Sequence, residues 1–188
     1  MVRTILVVGA GKSTSYLLDY FLKKSDEENI HIKIGDLHPE NIPDAFANHP
    51  NCTVFGLDIF NEEERKKAVC EASIVVSMLP ARMHINVAHD CIEFEKHFIT
   101  ASYVSDELRA LDAVVKEKGL VFMNEIGLDP GIDHMSAMEV IDRIRDAGGK
   151  MLLFESFTGG LVAPESDTNL WNYKFTWNPR NVVLAGQG

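Results

Sequence analysis

The sequence predicts an α/β fold on a doubly wound parallel sheet, and three observations predict it. Short apolar, β-branched runs recur through the first two thirds of the chain, helical patterns separate them, and a glycine pair directly follows the first run. Apolar runs without polar alternation suit strands buried on both faces, and helical crossovers are what join such strands in parallel.

The elements follow in order. Residues 4–8 (Thr-Ile-Leu-Val-Val) read as the first strand, and the pattern from Ser13 to Lys24, with Tyr16, Leu17, Tyr20 and Phe21 on one face, reads as a helix. Residues 30–34, 53–57, 73–78, 97–100 and 120–123 read as the next five strands. Asn61 precedes Glu62, Glu63 and Glu64, an N-cap with acids in the first turn, and Arg65, Lys66 and Lys67 follow. Ser105 starts another helix that Gly119 ends, and Asp133 starts a last one that stops at Gly148 and Gly149.

Right-handed crossovers put the C-terminal ends of all these strands on one edge. That edge collects Gly9 to Gly11, Asp36, Asp58, Leu79 and Pro80, the stretch from Thr100 to Tyr103, and Asn124 to Asp129. Nearly every unusual residue of the first 134 falls there, so the edge is expected to be the site. After Lys150 the pattern changes. Residues 151–158 and 173–177 read as strands of a more antiparallel sheet, so residues 1–134 are expected to form a dinucleotide-binding Rossmann domain and 135–188 an incomplete α+β domain. Unfinished strands there would favour a homodimer through the second domain.

Composition narrows the function classes. Of 188 residues, 46% are hydrophobic and 24% charged, ordinary values for a globular protein. A balance of 18 basic against 28 acidic residues gives a net charge of −10, which argues against nucleic acid or an anionic membrane as partner. Cys52, Cys70 and Cys91 are widely spaced and odd in number, which points to reduced thiols rather than a disulfide framework or a zinc site. No secretion signal and no apolar run of membrane-spanning length is legible, so the expected compartment is the cytoplasm.

Gly9-Ala-Gly11 between a strand and a helix matches the first two thirds of the dinucleotide fingerprint, with Thr14 in place of the third glycine. Gly9 allows the tight turn, and Gly11 lets the backbone approach a pyrophosphate. Gly11-Lys-Ser-Thr14 is not a phosphate-wrapping P-loop, because the position needing the earlier glycine is Leu6, inside the strand. Asp36 lies where an acid accepts hydrogen bonds from the adenosine ribose and repels a 2′-phosphate, so NAD(P) is expected, with a lean towards NAD. Asp58, Leu79 and Pro80 border the adenine and ribose by the same strand-end logic.

Asn124-Glu-Ile-Gly-Leu-Asp-Pro-Gly-Ile-Asp-His134 is the most informative run, since its glycines, proline and acids make poor core but a good ligand-holding backbone. With Thr100-Ala-Ser-Tyr-Val-Ser105 upstream and Gly159-Gly-Leu-Val-Ala-Pro-Glu165 downstream, the chain resembles the saccharopine dehydrogenase family, closest to its glutamate-forming reductases. The likeness covers nearly the whole chain and is strongest from Thr100 to Ala185. It implies an NAD(P)-dependent oxidoreductase of lysine metabolism acting on the CH–NH bond of a secondary-amine amino acid. It also implies that Gly11, Lys12, Ser13, Leu57, Asp58, Leu79, Thr100, Ala101, Gly127, Leu128, Asp129, Pro130, Gly131, Ile132, Asp133, His134 and Asn178 line the cofactor. Lys12 would stand as a cation beside the diphosphate.

By the same resemblance Ser102, Tyr103 and Asp129 contact the substrate, with Asp129 and Tyr103 nearest the chemistry. An Asp129 carboxylate suits a protonated amine, and the two hydroxyls suit its amino-acid ends. Each has a plainer role available. Ser102 can cap a helix, Tyr103 can pack at the core edge, and Asp129 before Pro130 can serve a turn. Asp133 reads better as a helix N-cap than as an acid, and His134 fits capping or packing as well as the cofactor. His84 and His89, five apart on a helix, face different ways, so no metal site is expected. Arg82, Lys174 and Arg180 are candidate carboxylate binders. Two other readings compete: a carboxynorspermidine- or homospermidine-type polyamine enzyme on the same frame, and a nucleotide-binding module without catalysis.

Overall fold

The structure, a computed structural model, describes residues 2–160 and 162–174. Its first strand, β1 (Arg3–Val8), has an apolar cluster on each face. Leu6 and Val8 enter one, Ile5 and Val7 the other, the period-two alternation of a pleated strand. Helix α1 (Ser15–Glu28) lays Leu18 and Leu22 over the Ile5 and Val7 face, together with Ile32 and Ile34 of β2 (Ile30–Asp36). A 3-10 turn (Pro39–Asn41) and the single turn α2 (Asp44–Ala47) lead into β3 (Cys52–Gly56).

The opposite face is covered by α3 (Glu62–Cys70) and α4 (His84–Glu93), which flank β4 (Ile74–Ser77) in sequence. Val69, Val87, Ala88 and Cys91 pack there on Leu6, Val75 and Phe98, the last from β5 (His97–Thr100). Two short helices, α5 (Asp106–Arg109) and α6 (Asp112–Glu117), precede β6 (Phe122–Met123), and α7 (Ile132–Asp146) follows it. Strand order is β3-β2-β1-β4-β5-β6 with every neighbouring pair parallel, the doubly wound sheet that the apolar runs predict. The order reverses between β1 and β4, which opens a crevice at the C-terminal edge.

Two of the expected caps form. The Asn61 side chain accepts the Glu64 N–H at 3.3 Å, and Ser105 Oγ accepts the Leu108 N–H at 3.2 Å. Gly119 ends α6 at φ +65°, a conformation only glycine adopts freely. Arg65 of α3 and Asp90 of α4 form a buried ion pair at 2.5 Å, and Arg65 also donates to the Ile59 carbonyl at 2.8 Å.

Three expectations shift. The first helix begins at Ser15 rather than Ser13, because the Thr14 N–H closes a turn onto the Gly11 carbonyl at 2.9 Å. The segment from Ser105 to Gly119 is broken into two helices instead of one. Residues 151–160 make no strand among the described residues, and Leu152 and Phe157 are each 88% exposed. An extended apolar segment becomes a strand only when a neighbour takes its backbone hydrogen bonds, and none of the described residues does so. Most of the expected strand at 173–177 lies outside the described residues.

The chain divides into two units, Met1–Val140 and Ile141–Gly188, with the division falling inside α7. Among the described residues no helix is long and apolar enough to cross a membrane.

Candidate dinucleotide and substrate site

The β1–α1 turn is shaped by contacts below it and left open above. Gly9 has φ +91°, and a Cβ there would stand 3.1 Å from the Met78 carbonyl oxygen after β4. Gly11 has nothing within 4 Å of the position its Cβ would take. That open space at a helix N-terminus leaves room for a group the size of a diphosphate, and Lys12 and Ser13 are exposed next to it. Thr14 replaces the third fingerprint glycine without loosening the junction: it is 1% exposed, and its hydroxyl lies 3.5 Å from the Gly9 carbonyl.

Asp36 has a bracing role that the sequence did not suggest. Its Oδ2 accepts the Ala10 N–H at 2.7 Å and its Oδ1 accepts the His38 N–H at 2.8 Å. Both oxygens brace backbone, one of them the glycine loop itself. Asp58 likewise holds its own turn by accepting the Phe60 N–H at 2.9 Å. Leu57 is buried beneath this edge, and a Cδ of Leu79 would stand 3.4 Å from a Cβ at Gly9.

A polar network runs between the tips of β4 and β5. Ser77 Oγ lies 2.8 Å from His84 Nδ1, and His84 Nε2 lies 2.8 Å from Ser102 Oγ and 3.3 Å from Thr100 Oγ1. The Ser102 N–H also reaches Thr100 Oγ1 at 3.3 Å. The imidazole is 1% exposed, and burial pushes its pKa down from 6.5 to about 4, so the ring is neutral near pH 7. Sequence reasoning weighed His84 only as a metal ligand and missed this role. The available signal was its position just past Leu79 and Pro80 at a strand tip.

Beyond β5 the chain brings Tyr103 to Asp129. The phenol donates to Asp129 Oδ1 at 3.1 Å. Desolvation and then the Asp129 carboxylate hold the phenol above its usual pKa, so Tyr103 stays protonated and Asp129 receives. Glu125, which the sequence reading did not single out, ties the two loops. Its N–H donates to the Ser102 carbonyl at 3.1 Å, and its carboxylate accepts the Val104 N–H at 3.0 Å.

The loop from Gly127 to His134 folds back on itself. The Gly127 N–H donates to the Pro130 carbonyl at 2.9 Å, the Ile132 N–H donates to the Gly127 carbonyl at 3.0 Å, and the Asp129–Pro130 peptide is cis. Gly131, at φ +150°, would place a Cβ 2.2 Å from the Gly127 oxygen, and a Cβ on Gly127 would meet that of Ala101 at 3.0 Å. Gly131 admits only hydrogen, and Gly127 leaves a side chain little room. Leu128 and Asp129 project outward, whereas Pro130 and Gly131 are buried. Asp133 sits in the first turn of α7 rather than capping it; its Oδ1 accepts the Gly131 N–H at 2.8 Å and lies 2.9 Å from His134 Nδ1. Asn178 and Arg180 fall outside the described residues.

Residues 5–123 match the family model described as the saccharopine dehydrogenase NADP binding domain, and residues 127–188 match the saccharopine dehydrogenase C-terminal domain. The chain belongs to the saccharopine dehydrogenase family. It is 38% identical over 183 residues to the saccharopine dehydrogenase [NADP(+), L-glutamate-forming] of Schizosaccharomyces pombe, covering 97% of this chain and 40% of that protein. It is 35% identical to the alpha-aminoadipic semialdehyde synthase of Arabidopsis thaliana, covering 97% of this chain and 19% of that one. Among solved structures, the apo saccharopine dehydrogenase (L-Glu forming) of Saccharomyces cerevisiae superposes with a TM-score of 0.84 at 34% identity, over 97% of this chain and 40% of that chain. This saccharopine dehydrogenase-family chain thus spans about two fifths of the length of the glutamate-forming relatives it matches.

The lean towards NAD finds no support and is corrected. The matching family model is an NADP binding domain, and the S. pombe relative is named for NADP(+). The physical reason is local: Asp36 turns its carboxylate onto the Ala10 and His38 amides, so its presence at the strand end is not by itself a ribose-reading signal.

Proposed function

We propose that this chain forms the NADP-binding and substrate-facing part of an oxidoreductase that cleaves saccharopine to glutamate and aminoadipate semialdehyde, in lysine metabolism. The observation that carries the reading is the Tyr103–Asp129 pair, an acid–phenol couple in the loops that follow β5 and β6, on the same edge of the parallel sheet as the open glycine loop after β1. Residues 1–134 supply the nucleotide site, and 135–188 begin the substrate domain.

Gly11, Lys12 and Ser13 fit the diphosphate, the open space over Gly11 admitting it. His38, exposed just past Asp36 and 3.2 Å from Glu40, is the nearest side chain in sequence suited to a 2′-phosphate. When bound, NADP supplies the hydride acceptor. Asp129, exposed and receiving the Tyr103 phenol, holds the substrate's secondary ammonium over the strand tips. Once that nitrogen has lost its proton to water, hydride leaves the adjacent carbon, and water adds across the resulting imine to release glutamate. Tyr103 keeps the carboxylate oriented and stays a donor; Ser102 gives its hydroxyl to a substrate carboxylate. Neither needs to serve as general base. A reducing compartment such as the cytoplasm suits Cys52, Cys70 and Cys91, all free.

The test is saccharopine-dependent formation of NADPH and glutamate. Asp129→Ala is expected to abolish it, and Tyr103→Phe to reduce it. Turnover of carboxynorspermidine with none of saccharopine would replace this reading with the polyamine one. Dinucleotide binding with no reaction on any secondary amine would leave a non-catalytic module.

A further inference from the structure

Ser102 meets an imidazole that does not reach solvent, and that contact decides which way its hydroxyl points. The ring is neutral, so it has one N–H and one acceptor nitrogen to share among three hydroxyls: Ser77 at 2.8 Å from Nδ1, with Ser102 at 2.8 Å and Thr100 at 3.3 Å from Nε2.

Ser77 is 0% exposed and paired on both sides, to Val8 of β1 and to Thr100 of β5. Among the hydrogen bonds of the described residues, its hydroxyl meets only His84 Nδ1. Protonation at Nδ1 would strand the Ser77 hydrogen inside the sheet, where an unmade hydrogen bond is costly. Thr100 differs, because its outer flank lies past the β5–β6 pairing, which ends at Ile99 and Met123. Its contact with the ring is also the longer one, 3.3 Å to Nε2 against 2.8 Å from Ser77 to Nδ1, so a protonated Nε2 disturbs the more weakly held hydroxyl.

We propose that His84 is a positioning residue: Ser77 donates to its Nδ1, its Nε2–H donates to Ser102 Oγ, and the Ser102 hydrogen is thereby turned outward as a donor to a substrate carboxylate. The inference deepens the proposed function and rests on Ser102 as a substrate contact. His84 touches neither substrate nor cofactor; its tautomer sets the polarity of the serine that does.

Nitrogen-15 chemical shifts of the His84 ring in the 188-residue chain at neutral pH test the first half. A protonated Nε2 with a bare Nδ1 is expected, with Ser102→Ala moving the Nε2 resonance and leaving Nδ1 in place; a protonated Nδ1 overturns the proposal. Saccharopine affinity with NADPH present, read by calorimetry, tests the second half. His84→Gln places an amide donor where Nε2 stood and is expected to stay within about threefold, whereas His84→Asn, which restores only the Nδ1 position, loses roughly tenfold, as Ser102→Ala does. The double variant Ser102→Ala with His84→Asn is expected to be no weaker than Ser102→Ala alone. Full additivity, or equal losses for Gln and Asn, overturns it. If Ser102→Ala leaves affinity unchanged, the substrate role of Ser102 fails, while the ring shifts still decide the His84 tautomer. If His84→Asn does not fold, the shifts and the Gln variant decide.

Discussion

The Asp36 carboxylate accepts the Ala10 N–H at 2.7 Å, so the acid at the tip of β2 fastens the glycine loop at the tip of β1. An acid at this point of a dinucleotide fold invites a reading as a ribose contact. Here it is also part of the scaffold that shapes the phosphate cradle. Asp36→Ala is therefore expected to weaken NADPH and NADH together, each by about tenfold, the loss of a charge-assisted hydrogen bond. Parallel fluorescence titrations of the two nucleotides check this. Improved NADPH binding in the variant would mean that repulsion, not bracing, is the main effect of the carboxylate.

Tyr103→Phe removes the 3.1 Å bond to Asp129 from a half-exposed ring. Folding stability should stay within about 0.5 kcal/mol, since no buried group is orphaned. Turnover of saccharopine should fall roughly tenfold as the carboxylate loses its orienting donor. Urea melts and steady-state rates together separate the two effects.

Acid should destabilise the Met1–Val140 unit through His84. Its folded pKa is depressed from 6.5 to about 4 by burial, so the unfolded chain binds its proton first as pH falls. Stability from this group is complete above the unfolded value and is lost as pH drops from 6.5 towards 4. At ~1.4 kcal/mol per unit, the loss is on the order of 3 kcal/mol. Urea midpoints for the native chain and for His84→Gln at both ends of this window check it; a slope that the substitution leaves intact would assign the effect to other groups.

Asp90→Ala should be the most damaging polar change in the fold. It leaves Arg65, itself mostly buried, without the carboxylate it meets at 2.5 Å. Breaking one side of such a pair costs about 3–5 kcal/mol. Thermal melts of Asp90→Ala, and of the double variant with Arg65→Met, check the assignment, the second change being expected to restore part of the loss.

How far the sequence could be read depended on what each feature answers to. The central strands β1 and β4 were legible because Ile5 to Val8 and Ile74 to Val76 are uninterrupted apolar runs that feed core clusters on both faces, and β2 was legible from the alternation of buried Ile30, Ile32 and Ile34 with His31 and Lys33. The caps at Asn61 and Ser105 were legible because they are local. The contact of Asp36 with Ala10 was not, since it joins positions 26 apart through a turn geometry that residue types do not encode. His84 was missed for a similar reason: its place just past the tip of β4 could be read, but a lone histidine in a helical pattern does not show that its ring also reaches the tip of β5. The segment 151–158 misled because apolar periodicity signals the capacity to pair, and pairing also needs a neighbour.

The most direct measurement is a titration of the chain with NADPH, read by calorimetry, beside the Gly11→Glu variant. Saturable one-to-one binding is expected, abolished when a carboxylate fills the open space over Gly11. Absence of binding, or equal binding by the variant, would contradict the account, because no nucleotide would then lie across the tips of β1 and β4.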